Sequence, residues 1–164
     1  MSFSRVFDIT AANNELVNYQ QLSVSHAMPQ DLAKISAVEN QTSDYPSSDK
    51  LLHDCIDKTF VLYKDNLIVG FAVILIVENQ AELHNIAIVS KQQGKGLGSL
   101  FLNALVTGLP DTVEQFYLEV RVSNYRAIRL YQRMGFIKIA ERRDYYRNGL
   151  AREDAVVMAR TCSK

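Results

Sequence analysis

The apolar residues of this chain change their spacing several times, and each change marks an element. Leu22 to His26 alternates and reads as a short strand. From Pro29 onward Leu32, Ile35 and Val38 fall three apart, with Ala33 and Ala37 between them, a helical spacing opened by a proline in its first turn. Asp44-Tyr45-Pro46-Ser47-Ser48 breaks that helix and supplies a cap for a second, in which Leu51, Leu52, Cys55 and Ile56 share a face. Thr59 to Lys64 and Asn66 to Val77 are rich in β-branched and aromatic residues, with Lys64-Asp65-Asn66 as a tight hairpin between them. A turn at Glu78-Asn79-Gln80 leads into Glu82 to Val89, so three strands form an antiparallel meander.

The second half alternates between the two periods. Leu97, Phe101, Ala104 and Leu105 line one face of a helix that stops near Gly108-Leu109-Pro110. Val113 to Val120 is a strand, and Asn124 to Met134 a helix with Ala127, Leu130, Tyr131 and Met134 at helical spacing. Phe136 to Tyr146 and Ala151 to Arg160 close the chain as a hairpin around Asn148-Gly149. The order β-α-α-β-β-β-α-β-α-β-β needs a parallel pairing at the central strand–helix–strand unit and antiparallel pairing at the ends. The fold class is a mixed α/β (α+β) sheet, mostly antiparallel. Residues 1–20 are polar and weakly patterned and read as an extension; residues 21–164 read as a single domain, with no linker or repeat dividing them.

Composition narrows the function. Lys plus Arg is 18 and Asp plus Glu is 18, and a general nucleic-acid or membrane-surface binder would carry a basic excess. Cys55 and Cys162 are far apart with no metal-ligand spacing, so no metal is expected. The longest apolar run, Leu67 to Val77, falls short of the ~20 residues that span a bilayer, and the N-terminal residues lack the apolar core of a signal peptide. A reducing cytoplasm is the expected home. Oligomeric state is not legible. His26, His53 and His84 lack metal spacing and read as surface or packing residues.

The glycines carry more. Three of the seven stand in Gln93-Gly94-Lys95-Gly96-Leu97-Gly98, between a strand and a helix. Glycine frees backbone N–H groups, and a helix N-terminus adds partial positive charge, so this loop suits a phosphate or pyrophosphate. A Walker loop fails, because Gly94-Lys95 is followed by glycine; a dinucleotide fingerprint fails, because the third glycine is replaced by Ser99 or Phe101. Gln93-x-x-Gly96-x-Gly98 does match another spacing. It resembles the pyrophosphate-arm signature of the GCN5-related N-acetyltransferase (GNAT) family, although a glycine-rich turn without a ligand would also explain the loop standing alone. Asn85-Ile86-Ala87-Ile88 before the loop, Tyr117-Leu118-Glu119-Val120-Arg121-Val122-Ser123-Asn124 after it, Ala127 to Phe136, Arg142-Arg143-Asp144-Tyr145-Tyr146 and Arg152 to Met158 extend the resemblance over about residues 22–160. The fuller set resembles the bacterial branch of that family that acetylates the N-terminal alanine of a small-subunit ribosomal protein.

The resemblance implies a GNAT fold, with a central splayed parallel strand pair and helices on both faces, and acetyl-CoA as co-substrate. It implies direct transfer to an amine, with a ribosomal protein N-terminus or another peptide amine as acceptor partner. Ile86, Ala87 and Ile88 would pair through their backbone with the pantetheine arm; Gln93, Gly94, Lys95, Gly96, Leu97, Gly98 and Ser99 would hold the pyrophosphate. Glu119 is implied as the general base, although its place on a β alternation also fits a solvated face or a Glu–Arg pair. Tyr131 is implied as the general acid, although its helical face also fits core packing. Asn124 reads as an N-cap, and by resemblance also touches the coenzyme. Glu141-Arg142-Arg143-Asp144 reads as a charged strand end. One departure stands out: where the branch has Pro-Trp before its second helix, this chain has Tyr45-Pro46-Ser47 and no tryptophan at all, which puts peptide preference in question. An acetyltransferase for a lysine side chain or polyamine, or a silent coenzyme-binding module, remain alternatives.

Overall fold

A computed structural model describes residues 7–8, 22–44, 46–148 and 151–162. The strands are β1 (Phe7–Asp8), β2 (Leu22–His26), β3 (Thr59–Lys64), β4 (Leu67–Val77), β5 (Gln80–Ile88), β6 (Gln115–Arg121), β7 (Ile137–Asn148) and β8 (Ala151–Thr161). The α-helices are α1 (Leu32–Thr42), α2 (Asp49–Asp54), α3 (Leu97–Gly108) and α4 (Tyr125–Arg133). The ladders run in the order β1-β2-β3-β4-β5-β6-β8-β7. The β5–β6 pair is parallel, and β1–β2, β2–β3, β3–β4, β6–β8 and β7–β8 are antiparallel. This is the mixed, mostly antiparallel sheet that the alternating periods predict.

Two compact units make up the chain: one up to Ile74 together with Asn85–Pro110, the other Leu75–His84 together with Asp111 onward. In the first, Ile35 and Val38 of α1 and Leu52 of α2 pack with Val61, Phe71 and Val73 of the strands, and all six are buried. The three-apart spacing of α1 is what brings these side chains to one face. Asp65 and Asn66 both adopt positive φ, 50° and 63°, as a two-residue hairpin of right-handed twist requires. Ser48 caps α2 by accepting from the Leu51 N–H at 3.2 Å.

That helix is shorter than its apolar face suggests. It stops at Asp54, and Ile56–Lys58 follows as a 3-10 turn. Cys55 and Ile56 still pack against the core, whereas Leu51 is 53% exposed. Leu51 therefore stays outside the packed face that Leu52, Cys55 and Ile56 form. Of the N-terminal extension, Phe7 and Asp8 pair with Val24 and Ser23. Tyr45 and the Gly149 end of the last hairpin lie outside the described residues.

In the second unit β6 follows its alternation: Phe116, Leu118 and Val120 are buried, while Tyr117, Glu119 and Arg121 are only partly so. The Phe116 ring meets that of Phe136 at 5.5 Å, and Phe136 meets Tyr131 at 5.9 Å. These aromatic contacts join α4 to the sheet by the geometry that ring quadrupoles prefer. The β5–β6 ladder runs from Gln80–Gln115 to Leu83–Leu118. Glu119 is the first β6 residue beyond it. Among the described residues no helix is long and apolar enough to cross a membrane.

Candidate active site

In the first unit, the end of β5 and the glycine loop form one continuous piece. Ile86 and Ala87 are half-buried and Ile88 is buried. The strand is pressed against β4: a Cβ built on Gly70 would stand 2.6 Å from Ile88 Cδ1 and 2.7 Å from the Ala87 carbonyl oxygen, so only glycine admits that approach. After the strand, the Gln93 side-chain amide donates to the Ile88 carbonyl at 2.9 Å and ties the loop back to it. Gly94 and Gly96 both adopt positive φ, 78° and 81°, and the space a Cβ at Gly96 would enter is open to 4 Å. Gly96 is the N-cap of α3 and no side chain caps that end. The first amides to bond back are those of Ser99 and Leu100, both to the Gly96 carbonyl, so the Leu97 and Gly98 N–H groups precede the helical ladder. Uncapped amides, open space and a twelve-residue helix behind them fit an oxyanion of the pyrophosphate kind.

A residue that the sequence does not single out braces this piece. Glu39 of α1 is 3% exposed; its Oε1 accepts from Ser47 Oγ at 2.9 Å and from Asn85 Nδ2 at 2.8 Å. The segment between α1 and α2 is thereby linked to β5 just before Ile86.

In the second unit, Glu119, Asn124 and Tyr131 follow one another along β6 and α4. Asn124 is the N-cap of α4, its Oδ1 accepting from the Ala127 N–H at 3.1 Å. Tyr131 is 6% exposed; burial, and behind it the neighbouring Tyr146, pushes its hydroxyl pKa well above the ordinary value. It therefore keeps its proton throughout the neutral range. The Glu119 side chain is 14% exposed, and its Oε1 forms an ion pair with Arg142 Nε at 2.7 Å. The Glu–Arg pair considered from the sequence is thus present, and Arg142 is more than a charged strand end. Tyr145 also hydrogen-bonds Glu119, which together with burial raises the tyrosine pKa. Tyr146 is pushed up to about 12 by burial and by the charge of Glu119. It lies within electrostatic reach of both Glu119 and Tyr131.

Arg142 pairs with Ala155 in regular register, and Tyr145 joins Tyr146 beside it because β7 then bulges. From the Arg142–Ala155 pair to the Tyr146–Glu153 pair, β7 advances four residues while β8 advances two, and Asp144 adopts a φ of 52°. Strand alternation would send the two tyrosines to opposite faces; the bulge instead packs their rings edge to face at 5.0 Å. Beside them opens a groove of about 230 Å³ lined by Gln80, Glu82, Tyr117, Glu119 and Arg142, among others. Two carboxylates and one guanidinium face it, which favours a cationic guest.

A model of the acetyltransferase (GNAT) family matches residues 25–136. The chain belongs to the GNAT family of acetyltransferases. Among curated relatives, the [ribosomal protein bS18]-alanine N-acetyltransferase of Salmonella typhimurium is 34% identical over 133 residues, 79% of this chain and 90% of that protein. The Haemophilus influenzae protein of the same name is 37% identical over 134 residues, covering 79% and 91%. The crystal structure of the Escherichia coli ribosomal-protein-S18-alanine N-acetyltransferase superposes with a TM-score of 0.82 at 33% identity, over 87% of this chain and 95% of that one. This GNAT member is an N-acetyltransferase, and enzymes of the family use acetyl-CoA.

Proposed function

We propose that this enzyme acetylates the α-amine of a protein N-terminus, and that its acceptor is the N-terminal alanine of ribosomal protein bS18. The observation that carries the reading is Glu119: a carboxylate at the end of the β5–β6 ladder, lining an open groove, in a chain 33–37% identical to enzymes named for that acceptor.

Acetyl-CoA supplies the acetyl group as a thioester. The Gln93–Ser99 loop is suited to its pyrophosphate by the uncapped amides at the start of α3, and Ile86, Ala87 and Ile88 offer strand N–H and C=O groups to its pantetheine arm. Asn124, the cap of α4, is assigned to the coenzyme by the family pattern alone. An α-ammonium has an ordinary pKa of about 7.7–8.0, so much of the acceptor arrives protonated. Glu119 takes that proton, directly or through one water, and leaves the nitrogen lone pair free to form the new C–N bond. Tyr131, held in its protonated form by burial, presents its hydroxyl proton to the sulfur as the C–S bond breaks. The products are the N-acetylated peptide and the free thiol.

Steady-state kinetics on a peptide with N-terminal alanine test these roles. Glu119→Gln is expected to lower kcat by about 10²–10⁴, with the loss greatest below the amine pKa. Tyr131→Phe is expected to slow turnover at all pH values where the wild type is protonated. Wild-type kcat in both variants would refute the assignment.

A further inference from the structure

The segment Arg152-Glu153-Asp154 holds three consecutive charged side chains on a strand whose neighbours, Ala155 and Val156, are buried, and no step above uses it. Each of the three has a defined partner. Asp154 Oδ1 accepts from the Asp144 N–H at 2.9 Å, and Arg152 Nη1 donates to the Asp144 carbonyl at 3.0 Å. Both polar groups of the left-handed residue at the apex of the bulge are therefore gripped by β8. Glu153 faces the other way: Oε1 accepts from the Ser123 N–H at 2.9 Å and Oε2 from Arg121 Nη1 at 3.2 Å. Ser123, through side chain and backbone, and Arg121 hold its carboxyl below the usual range. Arg121 in turn lies 4.5 Å over the Tyr146 ring, and Ser123 directly precedes the cap of α4.

A non-glycine residue at positive φ costs free energy that its surroundings must offset. Here the surroundings that offset it are Asp154 and Arg152. Without their grip, regular alternation would part Tyr145 from Tyr146 and carry Tyr145 away from Glu119.

We propose that Asp154 and Arg152 are positioning residues for the acetyl transfer: by clamping Asp144 they hold the β7 bulge that places Tyr145 on Glu119, beside Arg142. They touch neither substrate nor reacting atoms, and they act only through the orientation of the base. A carboxylate anchored by two donors from one strand presents its remaining lone pairs in one direction, which is what abstraction of a proton from a bound amine requires.

The inference rests on the reading of Glu119 as the base, so Glu119→Gln is measured alongside. The full-length enzyme is assayed with acetyl-CoA and an N-terminal-alanine peptide. Asp154→Ala and Arg152→Ala are each expected to lower kcat by about tenfold to a hundredfold, with the KM for acetyl-CoA held within about twofold. Asp154→Asn, which keeps an oxygen acceptor for the Asp144 N–H, is expected to recover most of the loss. The decisive comparison is a mutant cycle: in a Tyr145→Phe background, Asp154→Ala is expected to have almost no further effect. Arg152 is exposed, so Arg152→Ala in the same background gives the answer even if Asp154→Ala folds poorly. Additive losses in that background, or a parallel rise in the acetyl-CoA KM, would overturn the positioning role while leaving Glu119 as base. Wild-type turnover in Glu119→Gln would instead overturn the base itself.

Discussion

At the scale of single residues, environment separates the two proposed proton carriers. Tyr131 lies in the aromatic cluster with Phe136, and burial raises its pKa above the ordinary 10.0. The consequence for stability has a definite sign. Between the unfolded and folded pKa values the folded chain binds the proton and the unfolded chain does not, so stability falls as pH rises through that window. Tyr131 therefore contributes its full share below about pH 10 and loses it above. Urea titrations at stepped alkaline pH should show a decline that is shallower in Tyr131→Phe; an equal slope would contradict the burial argument. Tyr146 is pushed up to about 12 and accounts for part of the decline that remains.

Glu119 was visible in the sequence as a carboxylate on an alternating strand, and its partner was not. Arg142 sits between two register shifts in β7 and Tyr145 within the second, where counting by twos no longer tells which face a residue takes. A bulge depends on what the neighbouring strand offers, here Asp154 and Arg152, and no local pattern in β7 announces it. Glu39 escaped notice for a related reason. A carboxylate in the apolar face of a helix looks like an interruption until its donors, Ser47 and Asn85, are brought to it by the fold.

At the scale of elements, the strands and the long helices were legible because each carries enough turns or alternations to establish its period. The termini of α2 were not. Six residues are too few for a helical face to declare where it ends, and Cys55 and Ile56 keep their apolar contacts from a tighter turn. The glycine loop shows the opposite case: spacing alone picked out Gly94 and Gly96, and both take the left-handed backbone that glycine admits most readily. Gly70 was hidden inside an apolar run, although its role is as demanding. Gly70→Ala would force its Cβ onto the Ala87 carbonyl, a backbone atom that cannot swing aside. The expected cost is about 1–3 kcal/mol of stability by denaturant unfolding. Because Ala87 belongs to the strand proposed to hold the pantetheine arm, the KM for acetyl-CoA should rise as well. An unchanged midpoint and KM would mean that the two strands part more easily than the packing implies.

For the molecule as a whole, equal numbers of acidic and basic residues, 18 of each, conceal how charge is placed. The second unit concentrates Glu82 and Glu119 at a groove with Arg142, and this local arrangement, unlike the overall sum, favours an approaching ammonium. Family membership was legible from several short motifs falling at the right separations, and the full set of elements agrees with it. The acceptor is a matter of groove shape and side-chain detail. By the resemblance, the Tyr45-Pro46-Ser47 segment in a chain without tryptophan is where acceptor preference is expected to depart from that branch.

The account turns on which amine receives the acetyl group. The direct measurement is mass spectrometry of a peptide carrying the bS18 N-terminal sequence and one internal lysine, after incubation with acetyl-CoA and the enzyme. One acetyl group on the alanine α-amine, formed at a rate that Glu119→Gln reduces by about 10² or more, is the predicted result. Acetylation of the lysine ε-amine, or turnover that persists when the N-terminus is blocked, would contradict it.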